Sequence, residues 1–81
     1  MSSLYVSNLP ASATKEMLML RFREFGTVLS VKLKRDVPVG AITRDGFVEM
    51  KTIAEAHKAV DALNGSRFDG RLISVNRASR A

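Results

Sequence analysis

The fold of this chain is decided by Leu4-Tyr5-Val6-Ser7-Asn8-Leu9 together with Thr43-Arg44-Asp45-Gly46-Phe47-Val48-Glu49-Met50. Both stretches alternate with a period of two, which is typical of a strand that turns one face to a core and the other outward. Tyr5 and Phe47 fall on the outward faces, among charged and polar residues. An aromatic ring on an open sheet gains little unless something flat covers it, and a nucleobase is the commonest flat partner.

Composition and charge favour a small nucleic-acid-binding domain. The 81 residues are 46% hydrophobic, enough for one modest core, and we expect a single domain over residues 1–81. Thirteen Lys and Arg against eight Asp and Glu give a formal net charge of +5, which suits a polyanion. The chain has no cysteine, so a disulfide framework and a thiolate metal site are excluded. Because no signal peptide or transmembrane run is present, we expect an intracellular protein of the nucleus, cytoplasm or an organelle, with no membrane partner.

The predicted elements follow the order βαββαβ. A first helix is capped by Thr14 and runs to about Phe25, and a second opens with the capping box 52–55 and ends at Asn64-Gly65. The predicted strands cover residues 4–7, 28–34, 42–50 and 72–77, with a loop over 35–41 and a turn at 69–70. This is the α+β, ferredoxin-like pattern. Two helices cover only one face of a four-stranded antiparallel sheet, so function is expected on the other face.

Further patterned segments lie around the two motifs. Residues 14–26 read T-x-x-x-L-x-x-x-F-x-x-F-G, and AHKAVDALNG precedes FDGRLISVNRA. Taken in order, LYVSNL, the first helix, TRDGFVEM and these last segments resemble the RNA recognition motif family across nearly the whole chain. The resemblance implies strand order 4-1-3-2 with the two motif strands at the centre. Because no catalytic set of residues is visible in the sequence, we expect no enzymatic activity and no cofactor.

Alternation along the strands then assigns the faces. The inward residues are apolar throughout: Leu4, Val6, Val31, Leu33, Val48, Met50, Ile73 and Val75. The outward residues are Tyr5, Ser7, Lys32, Lys34, Thr43, Asp45, Phe47, Glu49, Leu72, Ser74 and Asn76. The family's two base-stacking aromatics map onto Tyr5 and Phe47. The alternative interpretation is that these two rings only stabilise the sheet as cross-strand neighbours.

The second motif departs from the family pattern at two outward positions. Thr43 replaces the usual basic residue, and Asp45 replaces an aromatic residue. Arg44 could turn outward to a phosphate or remain solvated at the sheet edge. Asp45 could accept a hydrogen bond from a base amino group, as carboxylates do from cytosine N4, but we favour an ion pair with Lys32 or Lys34.

The resemblance implies a binding site for single-stranded RNA, or for single-stranded DNA, on a monomer. Arg77 is expected to contribute because the family's chain crosses the open face after the last strand, and Arg35, Arg71 and Arg80 frame the sheet. The predicted RNA-binding residues are Tyr5, Ser7, Lys32, Lys34, Thr43, Arg44, Asp45, Phe47, Asn76 and Arg77.

Two other classes of function compete with RNA binding. Met17 and Leu20 are neighbours on the outer face of the first helix and could bind a protein partner. Splicing-factor homology-motif domains are similar in layout and grip a peptide through an Arg-x-Phe motif, but here the triplet at 66–68 is Ser-Arg-Phe. Acylphosphatases are similar in topology, but residues 7–10 lack the glycine-rich phosphate loop that this enzyme class needs. The sequence therefore favours a binding module.

Overall fold

The structure is a computed structural model that describes residues 2–34, 39–40 and 42–78. Most of the predicted loop at 35–41 and Arg80 lie outside the described residues. The elements, in chain order, are β1 Ser2–Pro10, α1 Lys15–Arg23, β2 Val28–Leu33, β3 Thr43–Met50, α2 Ile53–Leu63, β4 Arg67–Phe68, β5 Arg71–Leu72 and β6 Ser74–Arg77. No helix within these ranges is both long and apolar enough to cross a lipid bilayer.

Four strands form an antiparallel sheet in the order β2-β3-β1-β6. With β6 as the predicted fourth strand, this is the order 4-1-3-2, and the ferredoxin-like prediction is confirmed. The two motif strands, β1 and β3, lie side by side at the centre, where Leu4 is opposite Val48 and Tyr5 is opposite Phe47. The helices cover the opposite face from the two aromatic rings.

The predicted inward residues form the core. All of them are buried except Leu33, which is half-buried. Leu18 and Phe22 of α1 and Ala56 and Ala59 of α2 complete the core from the helical side. The alanines carry so little side chain that α2 can approach the sheet closely. The predicted register and the predicted faces are thus mutually consistent in the structure.

The predicted last strand is divided in two. Asp69 and Gly70 both have positive φ, 50° and 88°, as a two-residue hairpin turn requires, and they join β4 to β5. Leu72 therefore pairs with Arg67 in this small hairpin and does not lie on the open face of the main sheet. The strand that pairs with β1 begins at Ser74, after the buried Ile73.

The first strand is longer than predicted because a bulge lets it continue. The register with β3 shifts between Val6 and Leu9, and Asn8 there has a φ of 64°. The Asn8 side-chain amide donates to the Leu72 carbonyl at 2.6 Å and accepts from Arg71 at 3.2 Å. These bonds attach the bulge to the hairpin and hold the end of β1.

The capping box at α2 is formed only in part. The Thr52 hydroxyl accepts from the Glu55 backbone N–H at 3.2 Å, as predicted. The Glu55 carboxylate, however, accepts from the Thr27 backbone N–H at 3.3 Å, so it bridges to the turn before β2. Helix α1 has its predicted Thr14 cap but ends at Arg23, two residues early, and Phe25 lies in the following turn.

Gly46 is required by the close approach of β2 and β3. A Cβ atom at this position would lie 2.9 Å from the Lys32 carbonyl oxygen and 3.0 Å from Leu33 Cδ2. Contacts this short would force the two strands apart beside Phe47. The glycine between Asp45 and Phe47 therefore sets the spacing of the strands that carry the open face.

Candidate nucleic-acid interface

The open face is organised in rows across the strands. The register brings Lys32, Phe47, Tyr5 and Asn76 into one row from β2 to β6. Lys32 and Asn76 at the two ends of this row are exposed. The sheet therefore places two rings at its centre, with a cation on one side and an amide on the other.

The two rings of this row contact each other. The Tyr5 and Phe47 ring centroids are 5.2 Å apart at an interplanar angle of 47°, a tilted arrangement that aromatic pairs favour. Phe47 keeps 44% of its surface exposed, and Tyr5 is half-buried. The rings are thus cross-strand neighbours, as the alternative interpretation proposed, and they also leave apolar surface at the centre of the open face.

The Asp45 carboxylate is hydrogen-bonded to Tyr5, one of the two aromatic residues. The Tyr5 hydroxyl donates to Asp45 Oδ2 at 2.7 Å, across the diagonal between β1 and β3. The predicted ion pair with Lys32 or Lys34 is therefore wrong for the described structure: Lys34 contacts Asp45 through its backbone N–H, which donates to the Asp45 carbonyl at 2.9 Å. The Tyr5 hydroxyl lies next to the Asp45 carboxylate on this diagonal. An ion pair would instead require a long lysine side chain to be held in one conformation.

The hydrogen bond changes the acidity of Tyr5. Donation to the Asp45 carboxylate, some loss of solvation and the nearby negative charge all favour the neutral phenol and raise the pKa of Tyr5 above its ordinary value of 10.0. Tyr5 is the sole tyrosine of the chain, and the chain has no tryptophan. Its titration and its fluorescence therefore report on this one position.

A second carboxylate lies on the other side of Phe47. Glu49 accepts from the Ser30 hydroxyl at 2.6 Å, and the two residues face each other across β2 and β3. Alternation had placed Glu49 outward, but its pairing with Ser30 depends on a register shift in β2 that the sequence does not indicate. Phe47 is thus flanked along β3 by two carboxylates, and each accepts a hydrogen bond from a hydroxyl group.

Arg44 is half-buried and bonded to backbone carbonyls, rather than solvated at the sheet edge. Its guanidinium donates to the Lys34 carbonyl at 3.0 Å and to the Ala11 and Ala13 carbonyls at 3.5 Å each. It therefore connects the loop after β1 to the end of β2. Its Nε atom is buried without a hydrogen-bond partner among the described residues. Arg44 is a structural clamp in this conformation rather than an outward phosphate contact.

The remaining predicted site residues lie toward the ends of the strands. Ser7 is half-buried opposite Ser74, and Thr43 is half-buried opposite Pro10. Arg77 is exposed but pairs with Leu4, whose side chain is inward. Alternation puts Arg77 on the helical side, so its guanidinium would have to pass around the sheet edge to reach the open face.

A groove lies on the other side of the molecule, between α1 and the hairpin β4–β5. Its volume is about 410 Å³. Phe68 is buried at its base, with the Arg21 guanidinium 5.1 Å from the ring centroid. Arg21 also donates to the Arg67 carbonyl at 3.2 Å. The groove is lined by Met17, Leu20, Arg21, Glu24, Phe68 and Asp69.

The predicted patch of Met17 and Leu20 is part of this groove. Leu20 is 65% exposed, whereas Met17 is half-buried and packs against the core.

The part of the chain that the structure describes holds no cluster of His, Cys, Asp and Glu side chains that could bind a metal ion.

Comparison with known proteins agrees with the fold and the motifs. The sequence pattern of the RNA recognition motif matches residues 4–74. This chain belongs to the RNA recognition motif family. RbpE of a Nostoc species, which is named as an RNA-binding protein, is 41% identical over 94% of this chain and 77% of its own length. Polyadenylate-binding protein 4 of Arabidopsis thaliana is 38% identical over 96% of this chain but only 12% of its own length.

Solved structures of other proteins have the same fold as this RNA recognition motif. The RNA-binding protein PG1 superimposes with a TM-score of 0.89 at 30% identity, covering 100% of this chain and 98% of that one. The third such domain of Pes4 gives a TM-score of 0.90 at 27% identity, covering 100% and 95%.

We expect the titration of Tyr5 to reveal its bond with Asp45. The tyrosinate absorbance should appear with a midpoint above pH 10.0, and Asp45→Asn should move the midpoint toward 10.0. Because the folded pKa is raised, the interaction stabilises the fold below pH 10.0, and this contribution is lost as the pH rises through the folded value. Glu49→Gln is the matched control and should leave the midpoint unchanged; an unshifted midpoint in the parent protein would contradict the hydrogen bond.

Removal of Arg44 should destabilise the fold. Arg44→Ala is expected to lower the free energy of unfolding by about 1–3 kcal/mol, because backbone carbonyls lose a charged donor. Arg44→Lys should retain only part of the free energy of unfolding that Arg44→Ala loses, since an ammonium group lacks the several fixed N–H donors of a guanidinium. Urea denaturation measures both variants. An Arg44→Ala protein as stable as the parent, with weakened RNA affinity, would instead support the phosphate contact.

Proposed function

We propose that this domain binds single-stranded RNA on the open face of its sheet, with bases stacked on Tyr5 and Phe47. The observation that carries the proposal is the aromatic pair at the centre of that face, with Phe47 exposed, Tyr5 half-buried and the ring centroids 5.2 Å apart on the two central strands. Base stacking on an aromatic ring is sequence-tolerant because every base has a π-face. The RNA-binding names of relatives such as RbpE agree with this proposal.

The charges of the face are arranged for a strand of nucleic acid that lies along it. Lys32 is exposed on β2 beside Phe47, and Lys34 is exposed just after the end of β2. Both could neutralise phosphates there. The two carboxylates, Asp45 and Glu49, lie on the central strand β3. We infer that stacking holds the bases over the centre while the phosphates follow the basic edge of the sheet.

The exposed groove favours a second candidate function, the binding of a protein partner. Leu20 is the most exposed apolar residue there, and Glu24 and Asp69 supply negative charge at its rim. A partner with an apolar side chain beside basic residues would complement this surface. The groove and the aromatic pair lie on opposite sides of the sheet, so separate variants can test the two functions.

We expect the loss of either ring to weaken RNA binding. Tyr5→Ala and Phe47→Ala should each cost about 1–3 kcal/mol of binding free energy for short single-stranded oligonucleotides. Fluorescence anisotropy of labelled RNA and DNA oligonucleotides measures the affinities, and quenching of Tyr5 fluorescence in the parent reports directly on stacking. Circular dichroism should show that both variants remain folded.

Leu20→Ala is the matched control for this experiment, because it removes an exposed apolar side chain from the groove. RNA affinity should not change in this variant. If Leu20→Ala weakens RNA binding while the two ring variants bind like the parent, the interface lies on the helical side and the stacking proposal is wrong.

Salt should weaken the binding to an extent that depends on Lys32 and Lys34. For single strands, the slope of log affinity against log salt is about −0.7 for each phosphate neutralised. Lys32→Gln and Lys34→Gln should each make the slope less steep by up to about this amount. Lys58→Gln changes an exposed lysine on α2 and should leave the slope as it is. Equal slopes in all the variants would remove the lysines from the phosphate contacts.

A further inference from the structure

We propose that Asp45 makes this domain prefer guanine at the base position beside Tyr5 and Phe47, an inference that rests on the RNA-binding function proposed above. Two carboxylates flank Phe47, and Asp45 is the one that is hydrogen-bonded to a ring of the pair, whereas Glu49 is bonded to Ser30 on β2. Asp45 thus combines contact with the ring pair and unused hydrogen-bonding capacity.

The position of Asp45 brings it to the edge of a stacked base. It lies two residues before Phe47 on the same outward face of β3, a separation of about 7 Å along a strand. It is also the residue to which the Tyr5 hydroxyl donates, at 2.7 Å. A base that covers either ring and extends toward this end of the sheet therefore meets the carboxylate.

The carboxylate has acceptor capacity to spare. An ionised carboxylate only accepts hydrogen bonds and offers about four lone-pair sites. Among the described residues, the Tyr5 hydroxyl uses one of these sites, on Oδ2. Asp45 is half-buried rather than fully buried, so part of its side chain remains accessible to a ligand on the face.

Guanine matches this group better than the other three bases. Its Watson–Crick edge presents two adjacent N–H donors, from N1 and N2, which can bind both oxygens of a carboxylate in the forked geometry that arginine uses. Adenine and cytosine each place a ring-nitrogen acceptor beside their amino donor, and uracil has one N–H between two carbonyl groups. An acceptor that faces the carboxylate leaves both groups unsatisfied, which disfavours these bases.

Tyr5 acts in this scheme as a positioning residue as well as a stacking platform. Its hydroxyl holds Oδ2, which limits the orientations of the carboxylate before RNA arrives. Such a restraint lowers the entropy cost of forming two further hydrogen bonds. Tyr5→Phe keeps the ring but removes the hydroxyl, so it separates the two roles.

The test uses four RNA octanucleotides: octauridine and its derivatives with one central uridine replaced by guanosine, adenosine or cytidine. For the parent protein we expect the guanosine derivative to bind at least about tenfold more tightly than the other three. Asp45→Asn should reduce this preference to about threefold or less, because the amide presents a donor beside its acceptor. Tyr5→Phe keeps the ring and removes the hydroxyl, so it should reduce the guanine preference more than it reduces the affinity for octauridine.

Glu49→Gln is the matched control for charge. It removes one negative charge from the same strand on the other side of Phe47, so it should raise the affinity for all four RNAs about equally and keep the guanine preference. If Glu49→Gln abolishes the preference as Asp45→Asn does, the effect is one of net charge and the proposal is wrong. A full guanine preference in Tyr5→Phe would overturn the positioning role of the hydroxyl.

The outcomes also separate this inference from the function on which it rests. If the parent binds all four RNAs equally and loses affinity on Phe47→Ala, the domain binds RNA and the guanine proposal is wrong. If the parent binds none of them, the proposed function fails, and the inference fails with it. Circular dichroism of Asp45→Asn confirms that a lost preference is not a lost fold.

Discussion

The antiparallel pairing of β1 with β3 is the constraint on which the rest of this structure depends. Opposite residues of the two strands include Leu4 with Val48 on the buried face and Tyr5 with Phe47 on the open one. Since side chains alternate with a period of two, a slip of one residue would expose the apolar pair and bury the aromatic one. The stability of the core and the assembly of the ring pair are therefore consequences of one register.

Two local features accompany this pairing: Gly46 in β3 and the bulge at Asn8 in β1. The missing side chain of Gly46 lets β2 approach β3 closely next to the rings. The positive φ of Asn8 allows β1 to absorb an extra residue and still pair as far as Pro10. Asn8 also contacts Arg71 and the Leu72 carbonyl, so the hairpin that replaces the start of the predicted last strand supports the end of β1.

The open face carries both positive and negative charges, and the two kinds of charge lie in different places. Lys32 lies on β2 and Lys34 just after its end, whereas the carboxylates of Asp45 and Glu49 lie on β3 beside Phe47. Each carboxylate accepts from a hydroxyl, of Tyr5 or of Ser30. On the proposals made above, charge at the edge would favour any polyanion, while fixed acceptors at the centre would discriminate among bases by their donors. Affinity and selectivity can then be set by different residues.

The fold class and the two faces of the sheet could be predicted from the sequence pattern, and the strand order from the resemblance to the RNA recognition motif family. Alternation in the two motifs separated Val6 and Val48 from Tyr5 and Phe47 without any coordinates, because burial on one side of a strand imposes a period of two. The helix caps at Thr14 and Thr52 were equally local, since a cap bonds to a backbone N–H only a few residues away.

The hydrogen-bond partners of the polar side chains could not be predicted from the pattern. Asp45 was expected to meet a lysine and instead meets Tyr5, and Arg44 was expected to face RNA or water and instead binds backbone carbonyls of two other segments. Each of these contacts joins residues 10 to 40 positions apart along the chain. A periodic pattern shows which face a side chain occupies, but its partner depends on diagonal distances, a bulge and a loop path that exist only in the folded chain.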